Sequence, residues 1–208
     1  MRNKKYFPML LAFVVPLLIC IGICIGNGVY PFGDNCILHI DLYHQYCPFF
    51  TEFMNKLRNG DSLMYTWNIG LGSDFVSVFA YYIASPLNWL IVFCPSDYVI
   101  EFMTILIILK IALAGLFFFI FLKEVFEPDR DKQFVAVVFS TAYALCGFVG
   151  AYSLDIMWLD GVALAPLAML GLRRMVKEKK VLLYYVTLSV SILANYYIAM
   201  MICIFLVF

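Results

Sequence analysis

The sequence predicts an all-α integral membrane protein: a multi-span helical bundle with a long first outer loop that carries interfacial helices. Three observations lead there. Of the 208 residues, 64% are hydrophobic and only 13% charged. A soluble domain carries roughly 25% charged residues, so this chain cannot clothe itself in a wetted surface. Several apolar runs reach the ~20 residues that cross a bilayer as a helix. Lastly, the 14 Lys/Arg and 14 Asp/Glu cancel overall yet are segregated along the chain. The zero net charge, with no basic cluster among aromatics, argues against a nucleic-acid partner.

The first span, 7–26, follows a basic start of Arg2, Lys4 and Lys5. Its apolar stretch is longer than the ~7–15 residues of a signal-peptide core and runs into Gly26-Asn27-Gly28 without an A-x-A pattern, so it reads as an uncleaved span. Further spans are expected at about 98–122, 134–151, 160–172 and 181–208. The run Arg173–Lys180 holds five cations and is the strongest cytoplasmic signal, because Lys and Arg of short loops stay inside. Counting back, 134–151 and 160–172 form a hairpin, which puts 123–133 inside with the N-terminus. An even number of crossings must then lie between residues 6 and 123. The apolar run 75–93 is therefore expected to lie at the outer interface, or to dip in and return. This layout puts eleven Lys/Arg and five Asp/Glu inside, against two Lys/Arg and nine Asp/Glu outside. Lys110 alone sits mid-span.

The outer loop, 27–97, is longer than structureless connections usually are, which points to function. Within it, Pro48–Asn59 reads as a short helix, with Pro48 at its start and Gly60 at its stop. Phe49, Phe50, Phe53, Met54 and Leu57 give it one apolar face, suited to the membrane interface. Trp67, Trp89 and Trp158 fall near expected outer boundaries, where indole rings prefer to sit. Most of the seven cysteines behave as small hydrophobes in apolar runs; Cys36 and Cys47 could pair in an oxidising compartment or remain two thiols. The chain ends at Phe208 inside an apolar run, so a fragment of a longer protein is expected.

The densest polar site follows the first span: Gly33 to Tyr46 holds both histidines, His39 and His44, and the carboxylates Asp34 and Asp41. Were it helical, Asp34 and Asp41 would share a face, with His44 one turn beyond Asp41. A carboxylate at a partly dehydrated interface can act as a general base or hold a divalent cation; the residues dictate no cofactor. The alternative is a solvated loop with ordinary charges. Gly60–Gly72, which holds Asp61, Trp67 and Asn68, has glycines that permit close backbone approach but no phosphate-loop ending. Lys110 is costly in lipid and either pairs within the bundle or meets a ligand. Asp155 and Asp160 flank Ile156–Leu159 in a short outer turn, and Asn195 is an amide within the last span that wants a partner.

These strings carry a resemblance. Asp41-Leu42-Tyr43-His44-Gln45-Tyr46-Cys47-Pro48-Phe49 resembles the opening motif of bacterial YfhO-type membrane proteins. Gly60–Gly72, Tyr81–Asn88, Ile156–Asp160 and Asn195-Tyr196-Tyr197 follow in that family's order. The family is similar to the C-type glycosyltransferases, which take a sugar from a polyprenyl-phosphate lipid at the outer membrane face. The resemblance implies transfer to a cell-surface polymer such as teichoic acid, in the plasma membrane. It places Asp41 at the motif's acidic position, with Asp34 as a second candidate. Candidate substrate contacts are His44, Gln45, Tyr46, Asp61, Trp67 and Asn68. Lys56 and Arg58, the only cations of the outer loop, are candidates for the lipid phosphate, against the more ordinary alternative that each snorkels to the interface, and Lys110 and Asp160 complete the set. Two rival readings stand beside this one: a transporter or flippase of lipid-linked sugars, and a non-catalytic assembly protein.

Overall fold

In the computed structural model, which describes residues 6–37, 39–129 and 132–207, two apolar helices form the axis of the bundle. Helix α1 (Phe7–Gly26) packs antiparallel on α4 (Val99–Phe126). Their backbones approach where small residues meet: a Cβ added at Gly115 would stand 2.6 Å from the Ala12 carbonyl oxygen. Without a hydrophobic drive between helices in lipid, such close packing supplies the attraction. Against α4 pack α5 (Gln133–Ala144) and α7 (Leu159–Glu178), with the short α6 (Gly147–Tyr152) between them in the chain. Helix α8 (Leu182–Ala194) packs on α7 at Gly171, where a Cβ would meet the Tyr184 backbone at 2.6 Å, and α9 (Tyr196–Val207) completes the set. Among the described residues, Phe7–Gly26, Ser96–Phe126 and Gln133–Tyr152 are long and apolar enough to cross a membrane. The protein is an all-α membrane bundle.

Segment 27–98 is the irregular part. A wide π-helical turn, Leu42–Tyr46, runs into α2 (Cys47–Asn59). The Cys47 N–H reaches back five residues to the Leu42 carbonyl, and Pro48, which has no N–H, leaves the next helical bond unmade. Helix α2 stops at Gly60, whose φ of 71° is the left-handed cap that glycine adopts without penalty. Strands β1 (Tyr65–Thr66) and β2 (Ser73–Asp74) pair as a small antiparallel ribbon. Gly72 is required there: its φ is 109°, and a Cβ would lie 2.9 Å from the Trp67 ring. Next comes a helical pair bent by 107°, Phe75–Ile83 and Pro86–Phe93, whose first limb opens with α3 (Phe75–Val78). Pro86 drives Ser85 into extended backbone (ψ 132°), which makes the bend.

Several helix bounds differ from those the sequence predicts. The run expected as one span over 181–208 breaks at Asn195, because that side chain caps α9 by accepting from the Ile198 N–H. The stretch 134–151 is interrupted at Leu145 and Cys146. Helix α7 runs past residue 172 to Glu178, so most of the basic run is helical. Its Arg174 grips Glu124 near the end of α4 through two nitrogens. Of the two readings open for the stretch after the first span, the helical face that would have joined Asp34 and Asp41 does not form: the chain from Gly28 turns back on itself, with the Asn35 N–H donating to the Gly28 carbonyl.

The core divides into two parts. The larger joins the second half of α1, the first half of α4 and segment 42–99, with Phe50, Phe53, Phe75, Ile91 and Met103 fully buried. The smaller, around Ala12, Phe119, Ala136 and Val137, sits at the other end.

Candidate functional site

Asp41 stands exposed at the head of the 42–46 turn, where the chain ends its irregular run and begins to wind. Leu42 and Tyr46 of that turn are buried, which fixes the turn against the bundle. The Tyr46 hydroxyl donates to Asp155 Oδ1 at 3.2 Å. Burial pushes the Asp155 carboxyl above the ordinary carboxylate range; the Tyr46 hydrogen bond offsets part of this, and the nearby Asp41 charge adds to the rise. Burial, then the Asp155 charge, push the Tyr46 hydroxyl up, so it remains a neutral donor. Tyr82 closes the group, edge-on to Tyr46 with ring centres 5.4 Å apart. Tyr81 and Tyr196 extend the aromatic wall at 5.7 Å from one another. Two carboxylates within each other's field, beside aromatic rings and a hydroxyl, can accept hydrogen bonds from a polar ligand and stack on its apolar faces.

A second polar knot surrounds Glu52 on α2. Burial raises its carboxyl, but hydrogen bonds from Thr66 and Asn68 and the Lys56 charge outweigh that and hold it below the usual range. The Thr66 hydroxyl lies 2.5 Å and the Asn68 amide 2.9 Å from its oxygens. Lys56, expected to be available to a lipid phosphate, is instead buried: it donates to the carbonyls of Ser62 (2.9 Å) and Tyr65 (2.8 Å) and stands 3.6 Å from Glu52. Arg58 is also committed, to the Val92 and Cys94 carbonyls and the Ser96 hydroxyl. Segment 60–72 thus wraps around Lys56 because its free carbonyls need a donor.

The other candidates scatter. His44 is exposed, edge-on to Tyr43 at 5.1 Å, and lines an open groove of about 570 Å³ with Thr51, Glu52, Asn55 and Asn68. Gln45 is half-buried, on the turn between His44 and Tyr46. Asp34 and Asp61 are exposed, Asp61 at 3.5 Å from the Asn59 amide. Trp67 is 77% exposed and packs on Tyr65 at 5.0 Å.

Lys110 and Asp160 come together in the interior. Lys110 Nζ donates to Asp160 Oδ2 at 2.6 Å and to the Ile156 carbonyl at 3.0 Å. Ser85, at the bend of the 75–93 pair, donates to Asp160 Oδ1 at 2.8 Å. Asn195 Nδ2 donates to the Tyr81 carbonyl at 2.9 Å. Asp155 and Tyr82 join Asp41 and Tyr46, while Glu52 and Ser85 organise the two neighbouring polar groups; Tyr82, Glu52 and Ser85 are not marked as candidates by the sequence. Asp155 and Asp160 do flank a turn rich in carboxylates; what the sequence lacks is any sign that Tyr46, 109 positions away, closes on Asp155.

Fold and site together define a multi-pass helical membrane protein with a carboxylate pair set in aromatic side chains beside an irregular 27–98 segment. The family model described as "Bacterial membrane protein YfhO" matches residues 12–208. The chain belongs to that family. No curated protein and no solved structure matches it.

Proposed function

We propose that this protein is a membrane glycosyltransferase, which moves a sugar from a polyprenyl-phosphate lipid to a hydroxyl of a cell-surface polymer, such as a teichoic acid, at the outer face of the plasma membrane. The N-terminus lies in the cytoplasm and 27–97 lies outside. The observation that carries the reading is the convergence of Asp41, Asp155 and Tyr46, together with membership of the family. Asp41, exposed, takes the proton of the acceptor hydroxyl as its oxygen attacks the anomeric carbon. The bond from that carbon to the phosphate oxygen breaks, and polyprenyl phosphate leaves with the electron pair. Asp155, held by Tyr46, orients the sugar hydroxyls.

With Lys56 and Arg58 committed to backbone carbonyls, the phosphate takes its countercharge elsewhere. In the alternative in which Asp41 holds a metal rather than acting as the base, a divalent cation there would supply it. Among the described residues no group of three or more His, Cys, Asp or Glu side chains stands together to hold a metal, so such an ion would draw its other ligands from water and phosphate oxygens, as Mg²⁺ commonly does.

The flippase reading draws support from one observation, the helical pair bent by 107° beside a mid-bundle ion pair, since broken helices mark transporter sites. The closure of Lys110 on Asp160 and Ile156 weighs against it. The test is transfer from a purified polyprenyl-phosphate sugar by the full-length protein. Asp41→Asn is expected to express normally and to lose about 10²–10⁴-fold in rate, the usual contribution of an acid–base group, with Asp34→Asn milder. Parental transfer by Asp41→Asn would sink the catalytic assignment and favour a non-catalytic assembly role.

A further inference from the structure

We infer that the buried Lys110–Asp160 pair is a positioning device for Asp155, acting through the Ile156 carbonyl and through the bend of the 75–93 pair. Lys110 is then a positioning residue of the site, not a ligand for substrate. The activity readout below rests on the glycosyltransferase reading; the geometric readout does not.

The turn that carries Asp155 joins α6 to α7. Its own bonds are short-range: Asp155 N–H to the Tyr152 carbonyl at 3.0 Å, Ile156 N–H to Leu154 at 2.9 Å, Trp158 N–H to Asp155 at 2.8 Å. Such bonds shape a turn without fixing where it stands against the bundle. Ile156 and Met157, buried in the core, pack it there, and two polar side chains from other elements tie its register. Tyr46 reaches Asp155 itself, and Lys110, from the middle of α4, reaches the Ile156 carbonyl one peptide further on. The lysine side chain is fully buried, so this tether is shielded from water.

Asp160 performs the matching task on the opposite wall. One oxygen takes the lysine; the other takes Ser85. Ser85 sits at the bend whose first limb carries Tyr81 and Tyr82, and Tyr82 packs against Tyr46. Asn195 holds the same limb at the Tyr81 carbonyl. The turn with Asp155 and the limb with Tyr82 are therefore both referred to one carboxylate. A pair needed only for cohesion is replaceable by apolar side chains of similar volume, often without loss. Placement of two walls around a reacting centre is not replaceable in that way.

The experiment uses the full-length protein lacking native cysteines, with Ser153→Cys as a near-isosteric reporter two residues before Asp155. The working variant is Lys110→Met/Asp160→Asn. It leaves no unpaired charge and keeps an acceptor for Ser85, but removes the donor to Ile156. Labelling of the reporter thiol by an impermeant maleimide is expected to quicken about tenfold, as a locally opening turn would. The kcat for transfer is expected to fall about 10²-fold with KM little changed, the cost of a displaced catalytic geometry. A folded variant with parental labelling overturns the inference. Should this variant not fold, Lys110→Met/Asp160→Leu, whose apolar pair suits the interior, takes its place: faster labelling supports the positioning role and parental labelling overturns it. If the parent itself transfers no sugar, the glycosyltransferase reading fails while the labelling still decides the positioning role.

Discussion

At the scale of single residues, the site turns on how Tyr46 and Asp155 set each other's protonation. The hydroxyl donates to the carboxylate, and so favours its charged form against the burial that disfavours it. Tyr46→Phe removes the donor and keeps the ring, so the Asp155 carboxyl rises further. At any pH near its titration, less of it is ionised. If transfer requires ionised Asp155, the acid limb of the kcat/KM profile moves to higher pH in Tyr46→Phe, while the rate well above that limb stays near parental. A limb that stays in place or moves down would separate Tyr46 from the site. Asp41 drew notice in the sequence because it stands in the densest polar stretch, and the structure shows it exposed at the head of the 42–46 turn. The true situations of Lys56 and Arg58 were not legible there. A snorkelling cation and one that ties a loop to itself look alike in sequence; only the carbonyls of Ser62, Tyr65, Val92 and Cys94, brought there by the fold, tell them apart.

At the scale of elements, bundle cohesion depends on close approach at a few glycines. Gly115→Ala would put a methyl group 2.6 Å from the Ala12 oxygen, backbone that cannot swing aside. A cost of about 1–3 kcal/mol is expected for such overpacking, read as a lower Tm of the purified protein. Gly22→Ala is the control: nothing lies within 4 Å of its added Cβ, and alanine in a helix interior gains roughly 0.5–1 kcal/mol over glycine. Equal melting of the two variants would refute the contact. Helix α2 was readable almost to the residue because its signals are local, Pro48 at one end and Gly60 at the other. The break at Asn195 was not. An Asn inside an apolar run can cap a helix or bond across a bundle, and here it does both, toward Ile198 and Tyr81.

For the whole molecule, the charge segregation argues that 27–97 and the 123–133 link lie on opposite sides of the membrane. Single cysteines replacing Asp61 and Asp129, in a background without native cysteines, are expected to label oppositely with an impermeant maleimide: 61 from outside, 129 only after permeabilisation. Outside labelling at 129 would make 75–93 a full crossing. The bend of 107° within that run is compatible with a broken span as well as with a segment that dips in and returns, and the labelling pair separates the two.

By itself the sequence determined the membrane class, the apolar helices and the start and stop of α2. Those properties come from composition and from signals within one or two helical turns, and lipid enforces them on any chain of this kind. The tertiary structure alone decided which polar groups meet. Tyr46 finds Asp155 across 109 positions, Lys110 finds Asp160 across 50, and Ser85 finds Asp160 across 75. A buried donor must find an acceptor, but which acceptor depends on how whole helices and turns are stacked, and that stacking is set by many small packing contacts that no local stretch of sequence contains.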